Sequence, residues 1–292
     1  MHALEEACLP ELRPGEPGRS PDEALAFFRH QPSTHETFNW LAAGGFASLY
    51  VHGPKAAFLQ LLVHPSERRA GLGTALCRRA CERAVERHAL ELHSSHTTPG
   101  GAAFARHIGA VDGQREVRSL LDLRAADLPE PRLPAGWTLA TWLVRVPDEH
   151  LAAFVRVRAA MDDAPGSDEI GFPTATAARV RASEDSLIER GREMRVTAAV
   201  HETGEIGAFT ELRVSRGATL GFTDDTGTAA AHRGRGLARA VKLESLRRLR
   251  EDHPEVDVVS TSNAEENAAM RHINASIGFR AIVVATTATL TL

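Results

Sequence analysis

The chain has 292 residues and a formal net charge of −4, and 43% of its residues are hydrophobic. This length suffices for two domains with a core each, and the acidic balance excludes a general nucleic-acid binder. The longest apolar runs are shorter than the roughly 18 residues of a membrane span, and the N-terminus lacks the apolar core of a signal peptide. The sequence therefore predicts a cytoplasmic protein with neither a nucleic-acid nor a membrane partner.

Residues 1–124 are predicted to form an N-terminal domain of strands and helices. Hydrophobic periodicity and turn residues set its elements. They are a partly irregular segment at 1–22, a capped helix from Pro21, strands in Phe38–Val51 around a Gly44-Gly45 turn, a strand at Ala56–Val63 and an amphipathic helix at Thr74–His88. A basic glycine loop, Arg68-Arg-Ala-Gly71-Leu-Gly73, joins the last strand to the last helix.

The cysteines and histidines carry no metal signature. Cys77 and Cys81 would share one face of a helix, but no further Cys or His completes a zinc ligand set at a usual spacing. Cys8 stands apart, and three cysteines are a poor disulfide framework. We therefore predict structural thiols and no metal.

A proline-rich stretch at 125–136 is predicted to link this domain to a second one at 137–292, because proline resists both helix and central strand. The second domain begins with a strand at Trp137–Trp142 and helices at Asp148–Met161 and Thr174–Gly191. A hairpin around Thr203-Gly204 and a strand from Leu220 follow. The acidic residues between the two helices, Asp162, Asp163, Asp168 and Glu169, form either a solvated loop or a surface that attracts a cationic amine.

The strand from Leu220 runs into a second basic glycine loop before a helix. The first backbone N–H groups of a helix have no partner inside it, and the macrodipole places partial positive charge there. Gly234 and Gly236 let a ligand approach this backbone, and Arg233 and Arg235 add charge suited to phosphate. The loop predicts a pyrophosphate site, with plain helix capping as the alternative. It is neither the dinucleotide fingerprint nor a P-loop.

The two basic loops indicate an internal duplication. Arg68 and Arg233 lie 165 positions apart, which is the length of a domain rather than of a solenoid repeat. Aligning the copies further downstream places Thr98, Gly101 and Ala105 opposite Asn267, Met270 and Asn274. Pro99-Gly100-Gly101 is also unfavourable for a helix start. We therefore expect the first copy to be degenerate and mainly structural, and phosphate binding at Arg68–Thr74 stays open.

A polar run follows the strand at Val258–Asn263. It contains Asn263, Asn267, Met270, Asn274 and Gly278-Phe279, and an apolar stretch follows. Together with Arg233-x-x-Gly236-x-Ala238, this order resembles the acyl-CoA site of the GNAT N-acyltransferase superfamily. With Asp225-Thr226 and Lys242, it resembles a tandem-domain group common in actinobacteria, to which the mycothiol synthases are more distantly related. The resemblance covers residues 195–285 well and 45–112 moderately.

The resemblance implies an α/β fold, more narrowly an α+β mixed sheet, with two GNAT-like domains in tandem and the intact acyl-CoA site in the second. The helical crossover predicts parallel pairing of the strand from Leu220 with Val258–Ser262. In the family these strands splay apart around pantetheine. For Asn267, the alternative to contact with the cofactor is a structural role as the N-cap of a helix. The residues expected to contact acyl-CoA are Thr226, Thr228, Ala230, Arg233, Gly234, Arg235, Gly236, Leu237, Ala238, Asn263, Asn267 and Asn274.

The implied activity is direct transfer of an acetyl group from acetyl-CoA to the primary amine of a small molecule. An alkylamine is mostly protonated at neutral pH, so a base or a path for its proton is needed. The candidate bases are Asp225, then Glu211 and Asp224, each with a capping or turn role as its alternative. The period of two places Asp224 and Asp225 on opposite faces of the strand.

The residue at the expected position of the general acid differs from that of many family members. Many GNAT enzymes carry Tyr four residues before the Gly-Phe, and Asn274 stands there in this chain. An amide cannot protonate a thiolate, so a water, Ser276 or Thr261 supplies the proton, or the thiolate leaves unassisted. The alternatives are a non-catalytic acyl-CoA-binding or regulatory protein, and an enzyme for a longer acyl group. The sequence leaves monomer and homodimer open.

Overall fold

The structure is a computed structural model that describes residues 2–18, 36–51, 56–159, 175–189, 192–215 and 217–292. The helix predicted from Pro21 and the acidic residues from Asp162 to Glu169 lie outside the described residues. The chain divides into two compact units, residues 1–117 with 282–292 and residues 118–281. The division into 1–124, 125–136 and 137–292 stays a prediction. It differs from these units in where it places residues 118–124 and the last eleven residues.

The first unit is a mixed sheet with helices, as predicted. Its helices are α1 (His2–Leu12), α2 (Leu72–Glu86) and α3 (Pro99–His107), and its strands are β1 (Glu36–Ala42), β2 (Gly45–Val51), β3 (Ala56–Val63) and β4 (Glu91–His96), with β5 (Val111–Asp122) extending across residue 117. β1, β2 and β3 pair antiparallel, and β3 pairs parallel with β4. The apolar face of α2, including Leu76 and Ala80, packs on Leu49 and Leu59.

Two expectations for this unit need correction. Residues 2–12 form a helix rather than an irregular segment, because Leu4 and Cys8, one turn apart, are buried against Phe46 and Leu62. A helix also begins at Pro99. Proline is tolerated at the first helical position, where its missing N–H would have no helical partner, and the Thr98 side chain caps the helix by accepting from Gly101 N at 3.0 Å.

The second unit carries the elements predicted for it. Its helices are α4 (Asp148–Arg158), α5 (Ala177–Glu189), α6 (Leu237–Asp252) and α7 (Ala268–Ile277), and its strands are β6 (Trp137–Leu143), β7 (Arg192–His201), β8 (Ile206–Ser215), β9 (Leu220–Thr228) and β10 (Val258–Ala264), followed by β11 (Arg280–Thr291), which leaves this unit after residue 281. β6 to β9 pair antiparallel in chain order, and β10 pairs parallel with β9. This confirms the predicted crossover.

The core of the second unit lies on both sides of α6. Leu243, Leu246 and Leu249 pack with Val259 and Phe279, whereas the start of the helix packs with the first strand of the unit. This burial holds the N-terminus of α6 in a fixed position. Among the described residues, no helix combines the length and the apolar character that a bilayer span requires.

Candidate functional site

The basic loop of the second unit presents the bare N-terminus of α6. Gly234 and Gly236 adopt left-handed conformations, with φ of 76° and 80°, and a Cβ added at either would meet nothing within 4 Å. Gly236 is the N-cap residue and no side chain caps the helix. Arg233 is anchored through its Nε, which donates to Thr228 O at 3.3 Å. The loop therefore offers open, positively polarised N–H groups to an anion.

The predicted loop residues and the end of β9 are brought together by one local fold. A short 3-10 helix, Ala230–His232, turns the chain from β9 into the loop, and α6 begins at Leu237. The Ala238 side chain is nearly buried behind the loop. Arg235 lies on the exposed side of the same turn.

A gap opens between β9 and β10 next to this loop. The parallel ladder runs from Leu220 and Val258 to Thr223 and Thr261, although β9 continues to Thr228. Beyond the last rung, β9 stays paired only with β8 among the described strands, as at Thr226 and Thr228. The backbone groups of this stretch that face β10 are thus available to a ligand, as the family resemblance implies.

The three asparagines of the polar run have different surroundings. Asn267 is the N-cap of α7, and its side chain accepts from Met270 N at 3.1 Å, so its capping role is present. Asn274 Nδ2 donates to Asn263 Oδ1 at 2.6 Å. Asn263 lies on β10 two residues beyond the last rung of the ladder, whereas Asn274 is fully buried on α7. The structure therefore brings Asn263 and Asn274 together and leaves Asn267 with the helix end.

The two other candidate proton donors are both engaged. Thr261 Oγ1 donates to Thr223 O at 3.4 Å, and Ser276 Oγ donates to Ile273 O at 2.7 Å. Each hydroxyl hydrogen is thus directed at a backbone carbonyl.

A β-bulge gathers the candidate bases on one face of the sheet. Between the rungs Thr210–Thr226 and Leu212–Thr223, the single residue Glu211 faces Asp224 and Asp225 together. Glu211 and Arg213 share a face of β8, because they are two residues apart. Arg213 donates two hydrogen bonds to Asp224, at 2.9 and 3.1 Å, and Arg158 joins Glu211 to Asp225.

Asp224 and Asp225 are therefore not on opposite faces. The extra residue of the bulge breaks the alternation on which that prediction relied. Asp224 pairs with Arg213, whereas Asp225, whose side chain is 41% exposed, pairs with Arg158 beside the buried Glu211.

Arg158, at the end of α4, is the functional residue that sequence reasoning missed. It donates to Glu211 Oε1 and, at 2.8 Å, to Asp225 Oδ2, and its guanidinium lies 5.8 Å from the ring centroids of Phe154 and Phe209. The only sequence signal was its place on the helix predicted at Asp148–Met161. Its partners lie 53 and 67 residues further along the chain.

Burial gives this cluster a carboxyl group that titrates near neutral pH. Desolvation raises the pKa of Glu211 to about 7, against the opposing effect of the Arg158 charge and with a further upward contribution from Asp225. Desolvation also raises the pKa of Asp225, and Arg158 again opposes the shift. A buried carboxyl with a pKa near the working pH is suited to accept a proton from an amine and release it.

We expect Arg158→Met to raise the pKa of Glu211 above its value in the wild-type protein, because the charge that favours the carboxylate is removed. The folded protein then binds the Glu211 proton more tightly than the unfolded chain does. The free energy of unfolding should consequently fall as pH rises from about 5 through the raised pKa. Carboxyl-carbon NMR titration measures the shift, with Arg158→Lys as the charge-retaining control. An unchanged or lower pKa in Arg158→Met would contradict the electrostatic role.

Lys242, on α6, is the most deeply buried amine of the site region. Its side chain is 2% exposed, Nζ lies 5.5 Å from the Phe279 ring centroid, and desolvation lowers its pKa to about 7. As for metals, the described residues contain no group of three or more His, Cys, Asp or Glu placed to hold an ion.

The first unit repeats the loop geometry of the second. Gly71 precedes α2 with φ of 82°, and Arg69, with φ of 68°, adopts the left-handed conformation that Gly234 has in the second copy. Arg68 Nε donates to Val63 O at 3.2 Å, as Arg233 does to Thr228. However, Arg68 Nη1 also binds the Glu11 carboxylate at 2.8 Å, which places a negative charge at the first loop.

Comparison with known proteins gives a consistent result. The sequence model of the Acetyltransferase (GNAT) family matches residues 2–110, the copy that we expected to be degenerate. A mycothiol acetyltransferase of Salinispora arenicola is 30% identical over 86% of this chain and 79% of its own length. One of Streptomyces coelicolor is 30% identical over 67% of this chain and 59% of its own.

Solved structures agree with these relatives. A tandem GNAT protein from the clavulanic acid biosynthesis pathway superposes with a TM-score of 0.81 at 28% identity, covering 98% of this chain and 92% of that one. A GCN5-related N-acetyltransferase from Sphaerobacter thermophilus, 19% identical, shares the fold with a TM-score of 0.74 over 99% and 91% of the two chains.

Proposed function

The chain belongs to the Acetyltransferase (GNAT) family, and from this premise we propose that it transfers an acetyl group from acetyl-CoA directly to the primary amine of a small molecule. One observation carries the proposal. β9 ends in the open anion loop at Gly234–Gly236 and, a few residues earlier, bears the bulge that faces the Glu211 carboxyl. A loop suited to a pyrophosphate thus follows β9, and a candidate base for an amine faces the same strand from the neighbouring β8.

We assign separate binding and proton-transfer roles to the residues of this unit. The N–H groups at the start of α6, with Arg233 and Arg235, bind the pyrophosphate. The backbone from Thr226 to Ala230, on the side that faces away from β8, binds the pantetheine arm. Bound acetyl-CoA supplies the thioester. Glu211 removes the proton of the attacking amine. Arg158 stays paired with the negatively charged Asp225 when Glu211 becomes neutral.

We assign the base to Glu211 ahead of Asp225, which ranked first on sequence. Glu211 is the more buried of the two carboxyls, and its pKa is raised to about 7, so it is partly ionised at neutral pH. Asp225 then tunes this pKa through its own negative charge. Asp224 is held by Arg213 and is assigned a structural role.

The acceptor is proposed to be a small-molecule amine, since the two relatives above are mycothiol acetyltransferases. The carboxyls of the cluster would attract a cationic amine to the same face of the sheet. We propose a cytoplasmic protein that needs no metal for this reaction.

The alternative is an acyl-CoA-binding regulatory protein without turnover. The observation that favours it is Asn274, a buried amide at the position where many relatives carry a tyrosine acid. It also draws support from Arg158, which already pairs with both carboxyls.

Release of the CoA thiol distinguishes these functions. We expect the purified protein to release thiol from acetyl-CoA in the presence of at least one member of a panel of small amines, including cysteinyl sugars. Incubation without amine is the control for hydrolysis. Tight binding of acetyl-CoA with no release across the panel would favour the regulatory alternative, and absence of binding would reject both.

A further inference from the structure

A row of four threonines crosses the sheet of the second unit and ends beside the gap. Each member lies directly opposite the next on the strands β6, β7, β8 and β9, and the members are Thr141, Thr197, Thr210 and Thr226. Their hydroxyls form two hydrogen-bonded pairs, Thr141 with Thr197 at 3.1 Å and Thr210 with Thr226 at 2.7 Å. The second pair therefore connects a buried strand to the strand that borders the gap.

The burial of Thr210 fixes the direction of the hydrogen bond in this second pair. Thr210 is 1% exposed, and among the described residues the Thr226 hydroxyl is the one hydrogen-bond partner of its Oγ1. A buried hydroxyl that donates to nothing leaves a polar hydrogen unsatisfied, so Thr210 donates and Thr226 accepts. Thr226, which is half-buried, consequently keeps its own hydroxyl hydrogen for another acceptor.

The pair lies at the level of the proposed base, on the other face of the sheet. Thr226 directly follows Asp225 on β9, and Thr210 directly precedes Glu211 on β8. Successive residues of β8 point to opposite faces, and Ala208, two residues before Thr210, packs against the start of α6. The hydroxyl pair and the carboxyl cluster are thus on the two sides of one short stretch of sheet.

This stretch also borders the gap. The ladder of β9 and β10 ends at Thr223 and Thr261, so Thr226 lies three residues beyond its last rung. In the proposed function the pyrophosphate binds at Gly234–Gly236, and the thioester must come close to Glu211 for the base to act on the attacking amine. The sulfur end of the cofactor then comes to the level of Thr226.

We propose that the Thr226 hydroxyl donates a hydrogen bond to the sulfur of CoA while the thioester C–S bond breaks, and that Thr210 positions this hydroxyl. The inference rests on the proposed function, because it assumes an acetyl-CoA thioester in the gap. It makes Thr226 a catalytic residue and Thr210 a positioning residue. Thr226, expected from the resemblance as a cofactor contact, gains a part in the chemical step.

The step balances without a covalent change at Thr226. The amine nitrogen forms a bond to the acetyl carbon, its proton passes to Glu211, and the electron pair of the C–S bond leaves with the sulfur as a thiolate. An aliphatic hydroxyl is a much weaker acid than a thiol, so Thr226 keeps its proton and stabilises the thiolate by hydrogen bonding. Glu211 then returns its proton to the solvent, and the solvent protonates the thiolate. Thr226 thereby supplies the donor that Asn274 does not.

Thr226→Val and Thr226→Ser form the matched pair of variants. Valine has nearly the shape of threonine without the hydroxyl, whereas serine keeps the hydroxyl. Thiol release is followed in a single turnover, with protein in excess over acetyl-CoA and an amine that the wild-type protein acetylates. We expect Thr226→Val to slow release by about 10–100-fold and Thr226→Ser to stay within about threefold of the wild type.

Thr210→Val tests the positioning role, and Thr197→Val is its control. Thr210→Val removes the donor that orients the Thr226 hydroxyl, so release should slow severalfold. Thr197 is equally buried in the same row, but its hydroxyl pairs with Thr141, so its replacement should leave the rate unchanged. Equal rates in Thr210→Val and Thr197→Val would refute the positioning role of Thr210.

The pKa of the thiol of bound CoA provides a readout that packing alone would not move. A hydrogen bond to the sulfur favours the thiolate, so this pKa should be higher by about one unit in Thr226→Val than in the wild type, and nearly unchanged in Thr226→Ser. The ultraviolet absorbance of the thiolate measures it. Calorimetric titration of acetyl-CoA should give the same affinity in all variants, because the charge on the sulfur develops only as the bond breaks.

The outcomes separate the inference from the proposed function. Equal slowing in Thr226→Val and Thr226→Ser, or an unchanged pKa of bound CoA in Thr226→Val, would overturn the inference while leaving the transferase in place. A loss of acetyl-CoA affinity as large as the loss of rate would also overturn it, since Thr226 would then only bind the cofactor. A wild-type protein that releases no thiol with any amine would reject the proposed function, and this inference with it.

Discussion

Gly236→Glu is expected to abolish acetyl-CoA binding, with a loss of at least about 100-fold in affinity. The substitution places a carboxylate at the N-terminus of α6, where the helix dipole and Arg233 and Arg235 favour the pyrophosphate. The new side chain meets no other atom within 4 Å of its Cβ, so it can occupy the anion site directly. Calorimetric titration of acetyl-CoA measures the effect.

Gly236→Ala is the control for backbone strain. Its φ of 80° penalises any L side chain by about 1–2 kcal/mol, so alanine reports that cost without a charge. We expect Gly236→Ala to retain most of the affinity. Equal losses in the two variants would show that the loop's shape, rather than its charge, matters.

Gly71→Glu tests the first copy in the same titration. We expect it to leave binding unchanged and the wild-type protein to bind one equivalent, because Glu11 already places a carboxylate at Arg68 and this copy lacks the asparagine run. Two equivalents, one of them lost in Gly71→Glu, would mean that the first unit also binds acetyl-CoA.

Glu211→Gln is expected to lower kcat by about 10²–10⁴-fold, the usual contribution of a general base. In the wild-type protein the rate should rise with pH through about 7 as Glu211 loses its proton. This rise should disappear in Glu211→Gln, since the amide neither ionises nor accepts the amine proton. The pH dependence of kcat/KM for the amine measures both effects.

Asp225→Asn discriminates between the two carboxyls. The negative charge of Asp225 raises the pKa of Glu211, so its removal should move the rise in rate to lower pH and retain activity. Glu193→Gln, which alters a partly buried carboxyl paired with Arg195 elsewhere in the unit, should leave the profile unchanged. Loss of activity in Asp225→Asn with a normal profile in Glu211→Gln would transfer the base role to Asp225.

The phosphate loop and its strand were predictable from sequence because their signals are local. Glycines with φ of 76° and 80° stand at the positions where a left-handed turn is needed, and the spacing of Leu237, Val241 and Leu249 marks the helix that follows. The parallel pairing of β9 and β10 then follows from the helical crossover between them.

The carboxyl cluster was only partly predictable, because it depends on strand register and on a distant helix. Glu211 and Asp225 were candidates by residue type, but the bulge that brings Asp224 onto their face is a property of the pairing between two strands. Arg158 comes from a helix 53 residues before Glu211. Nothing in its neighbouring sequence separates it from the arginines that face solvent.

The last strand has a practical consequence for dissecting the molecule. Residues 286–291 of β11 pair with Glu91–His96 in β4, so residues 282–292 complete the sheet of the first unit. In a fragment ending at residue 124, the side of β4 that pairs with β11 would become an unpaired sheet edge, which promotes self-association. Removal of residues 282–292 should therefore destabilise the unit formed by residues 1–117. The two halves must be studied as one polypeptide, or with residues 282–292 supplied in trans.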